Sequence, residues 1–192
     1  MPDSKNVLIV YCHPYEGSFN HAVLQEACRA LDAAGASWEL IDLEADGFDP
    51  VLHAPDLKLY NEGGYTDPLV ERYQDMIECA DRLVLVTPIW WNDIPALLKG
   101  WIDKVMLVGF SWNATGAGLA GTLDRFIKRV DVITTSAEPT EHLEPAIDAV
   151  LMDGTFAQLG VPERHWANFG GMDASTPEER AAWLAGVAGL LA

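Results

Sequence analysis

Three short stretches of the chain collect residue types able to hold a flat, phosphate-bearing ligand. The first is Cys12 to Asn20 (CHPYEGSFN), which leaves an apolar run and enters a helical one. At such a junction free backbone N–H groups and the helix dipole attract phosphate, and Gly17, Ser18 and Asn20 suit the turn. No Lys or Arg occurs between Cys12 and Gln25. A bound phosphate would therefore depend on backbone amides, Ser18, Asn20 and His13. The plainer alternative is a strand-to-helix loop capped by Asn20.

The second stretch is Pro88 to Asp93 (PIWWND), where Trp90 and Trp91 follow a continuous apolar run. An isoalloxazine ring is apolar over its face and polar at its edge, so an indole face with nearby backbone N–H groups suits it. Simple filling of space between loop and helix is the competing reading. The third is Thr134 to His142 (TTSAEPTEH), whose small hydroxyl residues would let the backbone approach a ring edge. His142, with an unperturbed pKa near neutrality, is a candidate to move a proton as a flavin or quinone changes charge. Its acidic neighbours equally fit a solvent-exposed histidine.

Other motifs carry less. Cys12 sits where low-molecular-weight tyrosine phosphatases place a nucleophile, but their arginine six residues on is Ser18 here, so Cys12 reads as a packing residue. A literal G-x-G-x-x-G at Gly116, Gly118 and Gly121 follows no strand pattern and opens no clear helix, which rejects it as a dinucleotide fingerprint. The five histidines lack metal-ligand spacing, and the three cysteines are too few and too scattered for a disulfide framework or a zinc site.

These loops need strands and helices to hold them. Asn6 to Tyr11, Trp38 to Leu43, Arg82 to Thr87, Arg129 to Thr135 and His165 to Phe169 read as strands. Helical spacing covers His21 to Ala34, Leu69 to Ala80, Pro95 to Leu107 (with Asp93 as a possible cap), Leu143 to Leu159 and Pro177 to Leu191. Glu44 to Asp67, rich in Pro and Gly, reads as a long irregular connection. Five alternations call for a parallel sheet with helices on both faces. The expected architecture is a flavodoxin-like three-layer α/β sandwich of strand order 2-1-3-4-5, its ligand crevice beyond Tyr11, Thr87 and Thr135.

The 192 residues suit one domain spanning 1–192, and 49% apolar residues suffice for its core. A net charge of −17 argues against nucleic acid and anionic membranes as partners. Residues 1–5 lead into the first strand without an export signal, and no stretch is long enough to span a membrane, so a reducing cytoplasm is expected.

His13-Pro14, Gly17-Ser18-Phe19-Asn20, Phe48-Asp49-Pro50-Val51-Leu52 and the run ADRLVLVTPIWWNDIPALLKGWIDKV from Ala80 to Val105 together resemble the NAD(P)H:quinone reductase family, especially its short bacterial members. The likeness covers about Asn6 to Thr135. It implies a homodimeric flavoprotein holding FMN, with FAD as the alternative, and an active site completed by the partner subunit. By position, His13, Ser18, Phe19 and Asn20 match the family's flavin phosphate and ribityl loop. Pro88, Ile89, Trp90, Trp91 and Asn92 match its isoalloxazine loop. Thr134, Thr135, Ser136 and Ala137 stand where the family has two threonines and two glycines, and the two added side chains would narrow the space beside the nicotinamide. The implied reaction is ping-pong hydride transfer from NAD(P)H through flavin to a quinone, azo or nitro acceptor. A one-electron carrier and an ancillary flavin-binding subunit are the other readings.

Overall fold

Alternating apolar side chains bury both faces of a parallel sheet in the computed structural model, which describes residues 6–192. The strands are β1 (Asn6–Tyr11), β2 (Ser37–Asp42), β3 (Arg82–Pro88), β4 (Trp112–Thr115), β5 (Gly118–Gly121), β6 (Arg129–Thr135) and β7 (Glu163–Phe169). Five of them form one sheet in the order β2-β1-β3-β6-β7, every pair parallel. This is the expected 2-1-3-4-5 order, renumbered because the hairpin β4–β5 intervenes in the chain. All seven residues of β3, the central strand, are buried, as a strand covered on both faces must be.

The helices are α1 (Phe19–Ala33), α2 (Ala54–Leu59), α3 (Pro68–Glu78), α4 (Ala96–Val105), α5 (Thr140–Ile147) and α6 (Pro177–Leu190). Val23, Leu24, Ala27 and Leu31 of α1 and Val187 of α6 meet Val7, Ile9, Val84, Val86 and Ile133 on one face of the sheet. Leu8, Val10, Leu83, Leu85, Val130 and Val132 turn to the other face, where Tyr73 and Ile77 of α3, Leu98 and Trp101 of α4 and Leu143 of α5 cover them. Each fully buried aliphatic or aromatic side chain contributes about 1.5–3 kcal/mol.

The connection after β2 is more ordered than its composition suggests. His53 and Asp56 form a reciprocal capping box at the start of α2. Lys104, buried in α4, donates to the Asp49 carbonyl at 2.7 Å and to the Asp67 carboxylate at 3.0 Å, with the Phe48 ring 4.9 Å away. Gly100 of α4 faces Pro50 so closely that a Cβ there would lie 2.3 Å from the Pro50 carbonyl oxygen. The connection is thereby clamped to α4.

The glycines Gly116, Gly118 and Gly121 belong to the antiparallel hairpin β4–β5, which explains why they open no helix. Helix α5 begins three residues before the expected start, behind Pro139, and continues through Asp148–Ala157 with π-type hydrogen bonding. At the amino end of the sheet, buried Arg82 donates to Asp131 at 2.6 Å and to the Leu191 carbonyl, while Arg129 bridges Asp131 and the Leu190 carbonyl. No described helix is long and apolar enough to cross a membrane. The expectation about residues 1–5 lies outside the described residues.

Candidate functional site

The sheet brings the three stretches to one crest. Pro88 at the end of β3 pairs in register with Thr135 at the end of β6, and Ile89 N–H donates to the Thr135 carbonyl at 2.8 Å. A cleft of about 240 Å³ opens there. Its walls are His13, Ser18, Phe19 and Asn20 after β1, Pro88, Ile89 and Trp90 after β3, and Thr135, Ser136 and Ala137 after β6. Met172 and Asp173, which sequence reasoning missed, close it from beyond β7. The signal for them was the Gly170-Gly171 break after the last strand, next to the third wall in the sheet order.

The first wall is a helix start with spare donors. Ser18, not Asn20, caps α1 by accepting from His21 N–H at 3.1 Å. Ser18 is in extended backbone, as a cap requires, whereas Asn20 already lies inside the first turn. The N–H groups of Phe19 and Asn20 have no partner among the described residues, as expected of a first helical turn. Asn20 is 3% exposed and donates through Nδ2 to Thr135 Oγ1 at 2.8 Å, while its Oδ1 has no partner. A buried acceptor left unpaired costs about 1–3 kcal/mol, so this oxygen favours a ligand that brings a hydroxyl.

His13 Nδ1 accepts from Tyr15 N–H at 3.1 Å, which leaves the proton on Nε2. Burial lowers the pKa of His13, so near neutral pH the imidazole is an uncharged donor. Phe19 packs against Phe169 and Trp183, with ring centroids 5.2 and 6.1 Å away, and so ties the start of α1 to the end of β7.

The second wall is a strained turn. Trp90 and Asp93 exchange backbone hydrogen bonds at 2.8 and 3.2 Å, with Trp91 at φ 52° and Asn92 at φ 63° between them. Two successive left-handed residues that are not glycine cost about 1–2 kcal/mol each. Trp90 lines the cleft and meets His13 edge-on at 5.9 Å. Trp91 is 100% exposed and, with Asn92, stays outside the lining. Of the two indoles, only Trp90 lines the cleft, because the left-handed turn carries the Trp91 side chain away. The Trp91 and Asn92 N–H groups have no partner among the described residues.

The third wall hangs on Asn168. Its Nδ2 donates to Ser136 Oγ at 2.8 Å and to Thr140 Oγ1 at 3.0 Å, and its Oδ1 accepts from Thr134 Oγ1 at 2.8 Å. Thr134, fully buried, also accepts from Trp166 Nε1 at 2.9 Å and does not line the cleft. Ser136 Oγ donates to the Glu138 carbonyl at 2.7 Å. Ser136 and Ala137 both line the cleft, the Ser136 hydroxyl committed to this network and Ala137 exposed. His142 is exposed on the first turn of α5 and is not part of the cleft.

No Lys or Arg lines the cleft, and burial pushes the Cys12 thiol pKa up to about 12, which rules out a thiolate nucleophile at neutral pH. Among the described residues no group of His, Cys, Asp and Glu is placed to hold a metal ion. A doubly wound parallel sheet whose crest carries an amide-rich helix start and an aromatic turn defines a flavodoxin-like ligand-binding domain.

The profile described as flavodoxin-like fold matches residues 5–188, and the chain belongs to that family. It is 28% identical over 170 residues to an uncharacterized NAD(P)H oxidoreductase of Haemophilus influenzae, covering 86% of this chain and 83% of that one. It is 31% identical over 128 residues to NAD(P)H dehydrogenase [quinone] 1 of Rattus norvegicus, covering 57% of this chain and spanning 46% of the rat enzyme's length. Among solved structures, an NAD(P)H:quinone oxidoreductase from Methanothermobacter marburgensis superposes with a TM-score of 0.87 at 25% identity, over 96% of each chain.

Proposed function

We propose that the protein is an NAD(P)H-dependent flavoprotein oxidoreductase acting on a quinone or similar acceptor. The observation that carries the reading is the set of unspent hydrogen-bonding groups around one cleft. These are Phe19 and Asn20 N–H at the helix start, the buried Asn20 Oδ1, and Trp91 and Asn92 N–H beside Trp90. A flavin fits that inventory: a phosphate for the helix start, ribityl hydroxyls for Asn20, and a ring with a polar edge for Trp90 and the strained turn. The names of the relatives point to the same chemistry.

When bound, the flavin would supply the two-electron chemistry, accepting hydride from NADH or NADPH and passing it to the acceptor in alternate half-reactions. The protein's own contributions are positional. Ser18 and the first turn of α1 hold the phosphate end, Asn20 bridges that end to Thr135, and the Asn168 network fixes the wall at Ser136 and Ala137. The Trp91 and Asn92 N–H groups are available to stabilise negative charge on the ring edge.

FMN is the flavin proposed first, in keeping with a cleft of about 240 Å³ and a single helix start to take one terminal phosphate. A homodimer whose partner completes the cleft, and a cytoplasmic setting in keeping with three free cysteines, belong to the same reading. The test is reconstitution of the apo-protein with FMN or FAD, followed by NADH and NADPH oxidation with a quinone. Protein that binds neither flavin defeats the proposal.

A further inference from the structure

Asn168 does not line the cleft, yet its carboxamide reaches both ends of a loop that does. The loop, Ser136 to Thr140, leaves β6 and enters α5, and it carries Ser136 and Ala137 on the cleft wall. Asn168 Nδ2 donates to Ser136 Oγ at the near end and to Thr140 Oγ1 at the far end, at 2.8 and 3.0 Å. Thr140 Oγ1 donates back to the Asn168 carbonyl at 3.4 Å.

The bonds behind the carboxamide fix which way round it sits. An indole N–H can only donate, so Trp166 Nε1 donates to Thr134 Oγ1 and the Thr134 hydroxyl is left to donate to Asn168 Oδ1. Both hydrogens of Nδ2 then point to the loop. The Ser136 hydroxyl in turn donates to the Glu138 carbonyl, within the loop itself.

Little else holds the far end. Helix α5 starts behind Pro139, which supplies no capping side chain. Backbone bonds between the loop and the exit of β7 run from Ser136 N–H to the Phe169 carbonyl, from Met172 N–H to the Ser136 carbonyl and from Gly171 N–H to the Glu138 carbonyl. Among the described residues, the hydrogen bonds that tie Thr140 to β7 both involve Asn168. Thr135, the residue before the loop, accepts from Ile89 N–H, so the loop stands next to the Trp90 turn assigned to the flavin ring.

We propose that Asn168 is a positioning residue for that ring: by gripping both ends of the 136–140 loop it fixes the wall against which the ring lies, while the start of α1 holds the phosphate independently. The assignment rests on the flavin reading and adds to it a division of labour between the two ends of the ligand.

Titrations of the apo-protein with FMN and with riboflavin, followed by flavin fluorescence, test it. Asn168→Leu should weaken both ligands by the same factor, on the order of tenfold, because they share the ring and differ in the phosphate. The visible absorption of FMN bound to this variant should move toward that of free FMN, a change that lost stability alone does not produce. Removing the grip from the other side, with Ser136→Ala and Thr140→Val together, should reproduce most of the loss, and this pair also serves if Asn168→Leu folds poorly. Asn168→Leu added to the pair should cost less than about threefold more. In the apo-protein, hydrogen exchange at Ala137, Glu138 and Thr140 should speed up by about tenfold in either background. A loss confined to FMN, full additivity of the three substitutions, or a lower urea midpoint with unchanged flavin affinity and spectrum overturns the role of Asn168. Wild-type protein that binds neither flavin defeats the functional reading and this assignment with it, whereas wild-type binding that Asn168→Leu leaves intact defeats the assignment alone.

Discussion

Asn20 and Thr135 stand 115 positions apart in the chain, yet a 2.8 Å hydrogen bond from Asn20 Nδ2 to Thr135 Oγ1 joins the start of α1 to the end of β6. The other side-chain atom, Oδ1, is buried and unspent. Asn20→Ala should therefore weaken FMN binding by roughly tenfold and lower stability by about 1 kcal/mol. Flavin fluorescence titration and urea unfolding measure the two effects separately. Retention of full FMN affinity would place the ribityl chain elsewhere.

The turn after β3 makes stability and function pull in opposite directions. Trp91→Gly removes a left-handed non-glycine residue and should raise apo-protein stability by about 1 kcal/mol. Trp90→Ala, which strips the cleft, should cost more flavin affinity than Trp91→Ala, which strips an exposed side chain. Thermal melts and flavin titrations of the three variants check the pattern, and an equal loss from both tryptophans would contradict it.

Lys104 is a buried cation serving the connection after β2 through Asp49 and Asp67. Lys104→Met leaves the Asp67 carboxylate without its partner and should destabilise the fold by about 3 kcal/mol. Chemical denaturation reads the change directly, and a loss below about 0.5 kcal/mol would mean the clamp is held by packing at Gly100 and Phe48 instead.

Burial raises the Cys12 pKa to about 12. Deprotonation of that thiol therefore begins far above the ordinary cysteine range, and at pH 8 it stays almost wholly protonated. Cys79 is exposed. A thiol-reactive dye at pH 8 should label Cys79 quickly and Cys12 only after denaturation, with labelled peptides identified by mass. Rapid native labelling of Cys12 would show that the loop opens.

The centre of the sheet was legible because β1 and β3 are nearly continuous apolar runs, and β6 matches its expected bounds from Arg129 to Thr135. The hairpin β4–β5 was not, since four-residue strands such as Trp112–Thr115, mostly exposed, lack an apolar signature. Helix α2 is one short turn-rich segment whose start depends on a capping box between His53 and Asp56. At the cleft, the lining residues adjacent to the ends of β1, β3 and β6 are readable from position along the chain. That the side chains of Trp91 and Asn92 stay outside the cleft while their N–H groups are free was not legible, because the left-handed backbone sets where side chains go. His142 falls on the exposed side of a helix that starts earlier than its spacing indicated. Asn168, Met172 and Asp173 come from the least distinctive strand and its exit, and only pairing of β7 with β6 makes them neighbours of Thr135.

The in-register pair of Pro88 and Thr135 has a consequence for anyone wishing to retarget the protein. Two jaws rooted at the same rung of adjoining strands cannot be respaced independently, because lengthening either root would shear the pairing that buries β3. Tailoring is better confined to the tips, at Ala137 and Trp91, where a side chain can be exchanged without disturbing the hinge line beneath.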